Sequence, residues 1–422
     1  MHRNPLTLLL AVALLAACAG GSDGSTSGPL VVTGSVVGSD RLPVEGARVA
    51  TRTADGWRST TSDVQGAFAL QVDGVPYDLA VVRGDQVDLY LGVTRTNPQA
   101  RLALPAGGLG ALGATFTTTI TGDCGGAGCP PAGYEGNGQL TFTTGTAYWF
   151  GTAQPPGSAG TYNLAWMGPA GTLFAMYWAC PGTCAASAPG AFWLARQDAV
   201  ALRAGVTTDL PALALAPLPT APLGVNLTAP QGVSPQAMMG FALGTPAAYW
   251  LHAAGPAAPG AHTFLVPLAQ DLRTMVYVTA SPGGGAMTSA TCAGTTPTAS
   301  VVDLALRAVP SLLEPLDGAT LGAGTRFAWS SEPGAVHVLG LVSSTTGAPD
   351  FHVTTTAQTF EVPDLSALGI TVPAGAAYTW SVRSQPTTVD GRLAPTSTAP
   401  IPPSQFTSSW STQSATRTAT VL

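Results

Sequence analysis

Thr60-Thr61-Ser62-Asp63-Val64-Gln65-Gly66-Ala67-Phe68-Ala69-Leu70 is the stretch from which the fold can be read. A hydroxyl-rich run enters an Asp-Val-Gln-Gly turn, and Phe68 and Leu70 beyond it alternate with alanine. The two large side chains therefore share one face of a strand. Short runs of Val, Thr, Tyr, Phe and Trp, cut by Gly, Pro or Asp, recur about every 8–12 residues, the spacing expected of β-sandwiches. Helical periodicity is scarce. The predicted class is all-β, a tandem of β-sandwich domains, and 422 residues fit four units of about 100 residues each.

Around the opening stretch, residues 29–105 hold Gly34-Ser35-Val36-Val37, Pro43-Val44-Glu45-Gly46-Ala47-Arg48-Val49 and Tyr77-Asp78-Leu79-Ala80-Val81. This pattern resembles the carboxypeptidase regulatory-like domain, a transthyretin-like sandwich. The resemblance implies about seven strands and a structural appendage without catalytic residues. Asp63 reads as a turn former rather than a calcium ligand.

Residues 106–310 read as a tandem repeat. A shift of 101 residues lays Ala147-Tyr148-Trp149 on Ala248-Tyr249-Trp250, Leu164 on Leu265, and Ala179-Cys180-Pro181-Gly182 on Ala280-Ser281-Pro282-Gly283. Repeat A is expected over 106–217 and repeat B over 218–310. The Pro-rich stretch Ala216–Pro222 is expected to act as a spacer between them.

In residues 311–422, Thr325-Arg326-Phe327-Ala328-Trp329 is followed by Val336-His337-Val338 and by Tyr378-Thr379-Trp380-Ser381-Val382. This looks like a fibronectin type III domain. The resemblance implies that Trp329 is a core residue of an early strand and that Tyr378 makes a tyrosine corner. A long Pro/Thr-rich loop at 385–405, before one final strand from Phe406, departs from the type III pattern.

The chain begins with Arg3 and an apolar run from Leu6 to Ala17, too short to span a bilayer as a helix but suited to an export signal over residues 1–17. The run closes in Leu15-Ala16-Ala17-Cys18, which resembles the lipobox of bacterial lipoproteins. The resemblance implies acylation of Cys18, palmitate included. Such chains hold a protein on a lipid bilayer at about 0.8 kcal/mol per buried CH₂. Ala19 in place of aspartate points to an outer-membrane address, facing either the periplasm or the cell surface. An ordinary cleaved secretory signal is the alternative. Residues 18–28 read as a flexible tether.

In an exported chain, Cys124, Cys129, Cys180 and Cys184 are expected to form disulfides. The two close pairs suggest local staples, although cross-pairing of the two loops stays open. A four-cysteine zinc site is disfavoured because neither spacing is a tight knuckle and Ser281 and Gly285 replace the second pair in repeat B. Cys292 is expected to be a buried free thiol.

Composition narrows function further. The chain has no lysine, 9% charged residues and a net charge of −6, so it offers no basic stripe for nucleic acid and no lysine-based chemistry. A Gly20–Gly24 string matching G-x-S-x-G lies in the tether, without the strand and helix a nucleophile elbow needs. His337 with His352, and His252 with His262, are conceivable facing pairs, but each lacks a third ligand. No catalytic residue, metal or cofactor is assigned. Tyr148, Trp149, Tyr249 and Trp250 are the candidate ligand-binding residues, since adjacent residues of a strand point to opposite faces. One of each pair could stack on a sugar or anchor a protein; alternatively, Trp149 and Trp250 are equivalent core residues.

The resulting reading is a non-catalytic, membrane-anchored surface or envelope lipoprotein. Its modules are expected to stand in a row on semi-rigid joints and to bind polysaccharide or an envelope protein. The alternative is a carbohydrate-binding module array using the repeat aromatics, and a divergent hydrolase is the third reading.

Overall fold

The computed structural model describes residues 27–38, 43–102, 114–122, 130–143, 148–164, 170–184, 187–203, 205–243, 248–269, 272–294, 301–322, 324–386 and 406–422. The expected signal over 1–17, the Cys18 lipidation site, most of the 18–28 tether and Cys124 and Cys129 lie outside these residues.

The protein is all-β, built of tandem β-sandwiches. The first unit contains β1 (Ser27–Val37), β2 (Arg48–Thr53), β3 (Gly56–Thr61), β4 (Ala67–Gly74), β5 (Tyr77–Arg83), β6 (Gln86–Val93) and β7 (Gln99–Arg101). Repeat A contains β8 (Ala114–Thr121), β9 (Tyr134–Thr143), β10 (Tyr148–Thr152), β11 (Ala159–Leu164), β12 (Ala170–Pro181), β13 (Ala191–Ala201), β14 (Thr207–Asp209), β15 (Leu213–Ala214) and β16 (Ala216–Pro217). Repeat B contains β17 (Thr220–Thr228), β18 (Gln236–Leu243), β19 (Ala248–Pro256), β20 (Gly260–Pro267), β21 (Leu272–Gly283), β22 (Ala286–Gly294) and β23 (Val302–Ala305). The last unit contains β24 (Ser311–Glu314), β25 (Ala319–Leu321), β26 (Arg326–Ser330), β27 (Val336–Ser343), β28 (Asp350–Thr355), β29 (Thr359–Glu361), β30 (Ala377–Gln385), β31 (Phe406–Gln413) and β32 (Arg417–Val421).

The turn at Asp63 behaves as its sequence suggests. The Asp63 carboxylate accepts from the Gln65 and Ala67 amides at 2.9 and 2.8 Å. Gly66 has φ 72°, and a Cβ there would lie 2.4 Å from the Val36 carbonyl oxygen, so only glycine fits. Phe68 and Leu70 then enter the first unit's core beside Val32, Val49 and Val81.

The two repeats share one strand order. In A, β10-β9-β12-β13 faces β11-β8-β14; in B, β19-β18-β21-β22 faces β20-β17-β23. Trp149 lies opposite Phe142 across strands, as Trp250 lies opposite Phe241. The Pro-rich stretch between the repeats is not a free spacer. Ala216 and Pro217 pair with Leu194 and Trp193 as the edge of A, and Thr220 already pairs with Pro267 in B. The repeats also share apolar packing: Phe174, Met176, Trp178 and Phe192 of A join a core with Leu223, Met239, Phe241 and Val276 of B.

The units do not stand in sequence order on separate joints. One 14-stranded sheet runs through repeat B, the last unit and the first unit, in that order. β28 of the last unit lies parallel to β6 of the first, from Asp350 opposite Gln86 to Thr354 opposite Tyr90. Val87 and Leu89 point with Phe351 and Val353 into a core completed by Phe327, Trp329, Leu339 and Trp380. Tyr90 points the other way, into the first unit's own core. β6 is thus buried on both faces, from Gln86 to Tyr90, with the polar Gln86 and Asp88 buried among Val87, Leu89 and Tyr90.

The C-terminal segment makes the second weld. It forms two strands, not the single expected one. β31 pairs with β22 of repeat B from Gly294 opposite Phe406 to Met287 opposite Gln413. The chain turns at Ser414, whose hydroxyl accepts from the Val382 amide at 2.9 Å, and β32 then pairs with β30 and β25. Arg307 spans the same junction, ion-paired with Glu332 at 2.8 Å and lying over the Trp410 ring. Trp329 is buried, at 1% exposure. The Tyr378 hydroxyl donates to the Pro349 carbonyl at 2.9 Å, in the loop before β28, not to backbone a few residues upstream as a tyrosine corner would.

Leu89→Asp places an unpaired charge at the shared core and should cost about 3–5 kcal/mol. The first and last units should then lose stability together, as read by hydrogen exchange in β5 and β30. Loss confined to the first unit would show that the two do not share a core.

Candidate functional site

Among the described residues, most aromatics of the repeats are packed into cores. Trp149 is half-buried against the core of repeat A, its ring edge-on to Phe116 at 6.0 Å and lying over Gly151. Phe116 stacks in turn on Tyr162 at 5.2 Å. Trp149 thus packs on the repeat A core while part of its surface stays exposed. The side chains of Tyr148, Tyr249 and Trp250 lie outside the described residues. Tyr177, Trp178 and Trp193 are all buried, because β12 and β13 carry cores on both faces.

Cys180 and Cys184 form a disulfide with each other, so neither crosses to the Cys124 loop. Glu135 fixes this staple on β9, its carboxylate accepting from the Cys184 amide at 2.7 Å. Cys292 is buried with its thiol free, and burial pushes its pKa up to about 12. Other repeat carboxylates make local ties: Asp198 to Arg196 and Thr172, Asp209 to Thr117, and Asp303 to Asn226.

The conceivable His337–His352 pair does not form. His337 and His352 lie on adjacent strands but opposite sheet faces, and three residues out of register. His337 packs edge-on to Trp329, with Nδ1 and Nε2 hydrogen-bonded to the Ser384 and Ser331 hydroxyls at 2.8 and 3.0 Å. His352 lies beside Asp88 at the β6–β28 seam. His252 and His262 lie in different sheets, and His262 Nε2 donates to the Ala258 carbonyl at 2.6 Å. Among the described residues no group of three His, Cys, Asp or Glu could hold a metal ion.

A concave site does exist where sequence reading found none. The sheet β24-β26-β29 and strands β2, β5 and β6 of the first unit both contribute side chains to the shared core. Beside this core a groove of about 200 Å³ lies between the units. Leu89 and Leu91 supply its apolar side on β6, with Phe360 and Pro363 of the last unit opposite, while the Leu79 side chain points away into the first unit's own core. Arg52 and Trp57, direct partners across the β2–β3 hairpin, line a further side. The Trp57 indole is held in place by its Nε1–H, which donates to the Asp364 carbonyl at 3.0 Å, 307 residues away in sequence. Nearby, Arg48 donates to the Leu368 carbonyl at 2.8 Å and closes the same junction.

The groove's polar side chains are the exposed Arg52, Asp78 and Glu361 and the half-buried Thr359. One Asp78 oxygen accepts from the Gly92 amide at 3.0 Å, which sets that carboxylate at the rim. Among the described residues the Arg52 guanidinium and the Glu361 carboxylate have no hydrogen-bond or ion-pair partner. Sequence reading passed over Trp57 because its partners lie in the last unit, and nothing local marks the junction.

No protein-family model matches the chain, and no curated protein sequence matches it. Among solved structures it is similar to the Bacillus anthracis TIE protein, at 10% identity and TM-score 0.15, over 66% of this chain and 50% of that one. It is also similar to a Ca²⁺-stabilized adhesin that helps an Antarctic bacterium reach out and bind ice, at 13% identity and TM-score 0.14, over 94% of each chain. The pilus adhesin SpaC from Lactobacillus rhamnosus GG matches at 8% identity and TM-score 0.13, over 77% of this chain and 43% of that one. The chain thus spans half the length of the first of these and less than half of the last. Scores this low carry no functional argument.

Burial holds the pKa values of His337 and His352 below the ordinary imidazole value; at His352, Arg383 reinforces the effect and Asp350 opposes it. The folded chain therefore binds fewer protons at these sites than the unfolded chain. Their contribution to stability is present above about pH 6.5 and lost as the pH falls from there toward the folded values. Asp198, Asp317 and Asp364, each held low first by a hydrogen bond, add to the loss only below about pH 4. Melting should thus begin to fall near pH 6.5, before the carboxylates titrate. His337→Gln should flatten that first step, and an unchanged profile would count against the histidine assignment.

Proposed function

We propose that the chain is an exported lipoprotein, anchored by acylated Cys18 in the outer membrane, whose β-sandwich body serves binding or adhesion at the envelope or cell surface. The observation that carries this reading is the shared sheet. A pull on repeat B or the last unit is transmitted to the first unit, next to the anchor, along hydrogen-bonded strands rather than flexible joints. Such a body suits a protein that holds a partner under load. The lipobox-like Leu15-Ala16-Ala17-Cys18 supports the anchor, and Ala19 supports the outer-membrane address. No step of the reading requires a nucleophile, a metal or a cofactor.

The test is made in cells. Cys18→Ala should abolish palmitate labelling and move the protein from the membrane to the soluble fraction. Protease added to intact cells should remove the last unit if the body faces outward and spare it until lysis if it faces the periplasm. Wild-type protein that carries no acyl chain and fractionates as soluble would overturn the anchored reading.

A further inference from the structure

We propose that the groove between the first and last units binds a neutral sugar, one pyranose ring of a glycan seated against Trp57. The inference rests on the binding reading above and names its ligand class. Four features of the groove support it.

The Trp57 indole is half-buried, packs against the shared core and is held in orientation by the Asp364 carbonyl, and the surface it keeps lines the groove. An aromatic face packs well on the C–H face of a sugar ring. Leu91 adds apolar surface to the groove. The polar groups around it are of both kinds: Arg52 supplies donors, while Glu361 and the second oxygen of Asp78 supply acceptors. Neighbouring hydroxyls of a sugar donate and accept, and so satisfy both kinds at once.

Arg52, Asp78 and Glu361 sum to one negative charge, which disfavours an anionic glycan or a phosphate. A wholly apolar ligand would strip water from three charged groups without replacing its hydrogen bonds. A volume of about 200 Å³ suits a single ring rather than a buried chain, so the rest of a glycan would lie outside the groove.

The groove also depends on the fold-back. Arg52, Trp57 and Asp78 come from the first unit and Glu361 from the last, so neither unit alone has the site. A sugar bridging them would stabilise the junction as it binds.

The experiment uses the purified full-length chain, probed with an array of neutral oligosaccharides (glucans, galactans, mannans and xylans) alongside sulfated and sialylated controls. Wild type should bind at least one neutral class and none of the anionic controls. Trp57→Ala should weaken that binding at least tenfold and Trp57→Phe by much less, because a ring remains. Glu361→Gln removes only a charge from an exposed side chain, so it checks the site without risk to folding, and it should also reduce affinity. Equal melting temperatures across the set confirm intact folds. Binding unchanged in Trp57→Ala and Glu361→Gln would overturn the groove while leaving a surface-binding role in place. Failure of every neutral glycan to bind folded wild type would overturn it as well. Failure of the broader reading shows instead in the Cys18 fractionation, which does not involve the groove.

Discussion

The parallel pairing of β6 with β28 is the constraint on which the rest of the structure depends. It joins the first unit to the last across most of the sequence, and each strand would otherwise be an open sheet edge. An unpaired edge carrying Val87, Leu89, Phe351 and Val353 would invite association with other chains. Pairing the two edges removes that hazard and buries both faces of β6. The low surface charge makes the same demand, since a body with 9% charged residues has little else to keep apolar edges apart.

From this seam follow both the site and the mechanics. The groove lined by Trp57 lies beside the shared core, with Leu89 and Phe360 belonging to both. The C-terminal segment repeats the device at the other side of the last unit: β31 serves repeat B, and β32 serves its own unit. Repeat A completes the body by packing, with Phe192 edge-on to Phe241 at 5.5 Å. The units are thus coupled by strands or by apolar contact, and a ligand held at a junction acts on more than one of them.

Local features were legible in the sequence. The Asp63–Gly66 turn, the alternation of Phe68 and Leu70 and the buried Cys292 follow from residue types a few positions apart. The Cys180–Cys184 staple was one of the pairings the spacing allowed. Long-range features were not legible. The apolar run of β12 contains the signal that both faces are covered, but it does not say by what. The Pro-rich stretch at 216–222 resembles a linker in composition, yet its prolines fit an edge strand and a strand end, where no ladder hydrogen bond is lost. Trp149 reads equally well as platform or core, and its edge-on contact with Phe116 joins residues of different sheets that nothing in the local sequence brings together.

Hydrogen exchange of the full-length chain, read by mass spectrometry in peptides covering 86–93 and 350–355, tests the seam most directly. Paired across it, the amides of Leu89 and Val353 belong to a central part of the sheet, and both peptides should exchange slowly and lose protection together. Fast exchange in both peptides, with the remaining strands of each unit still protected, would mean that β6 and β28 are free edges. The account of a single welded body, and the groove that depends on it, would then be wrong.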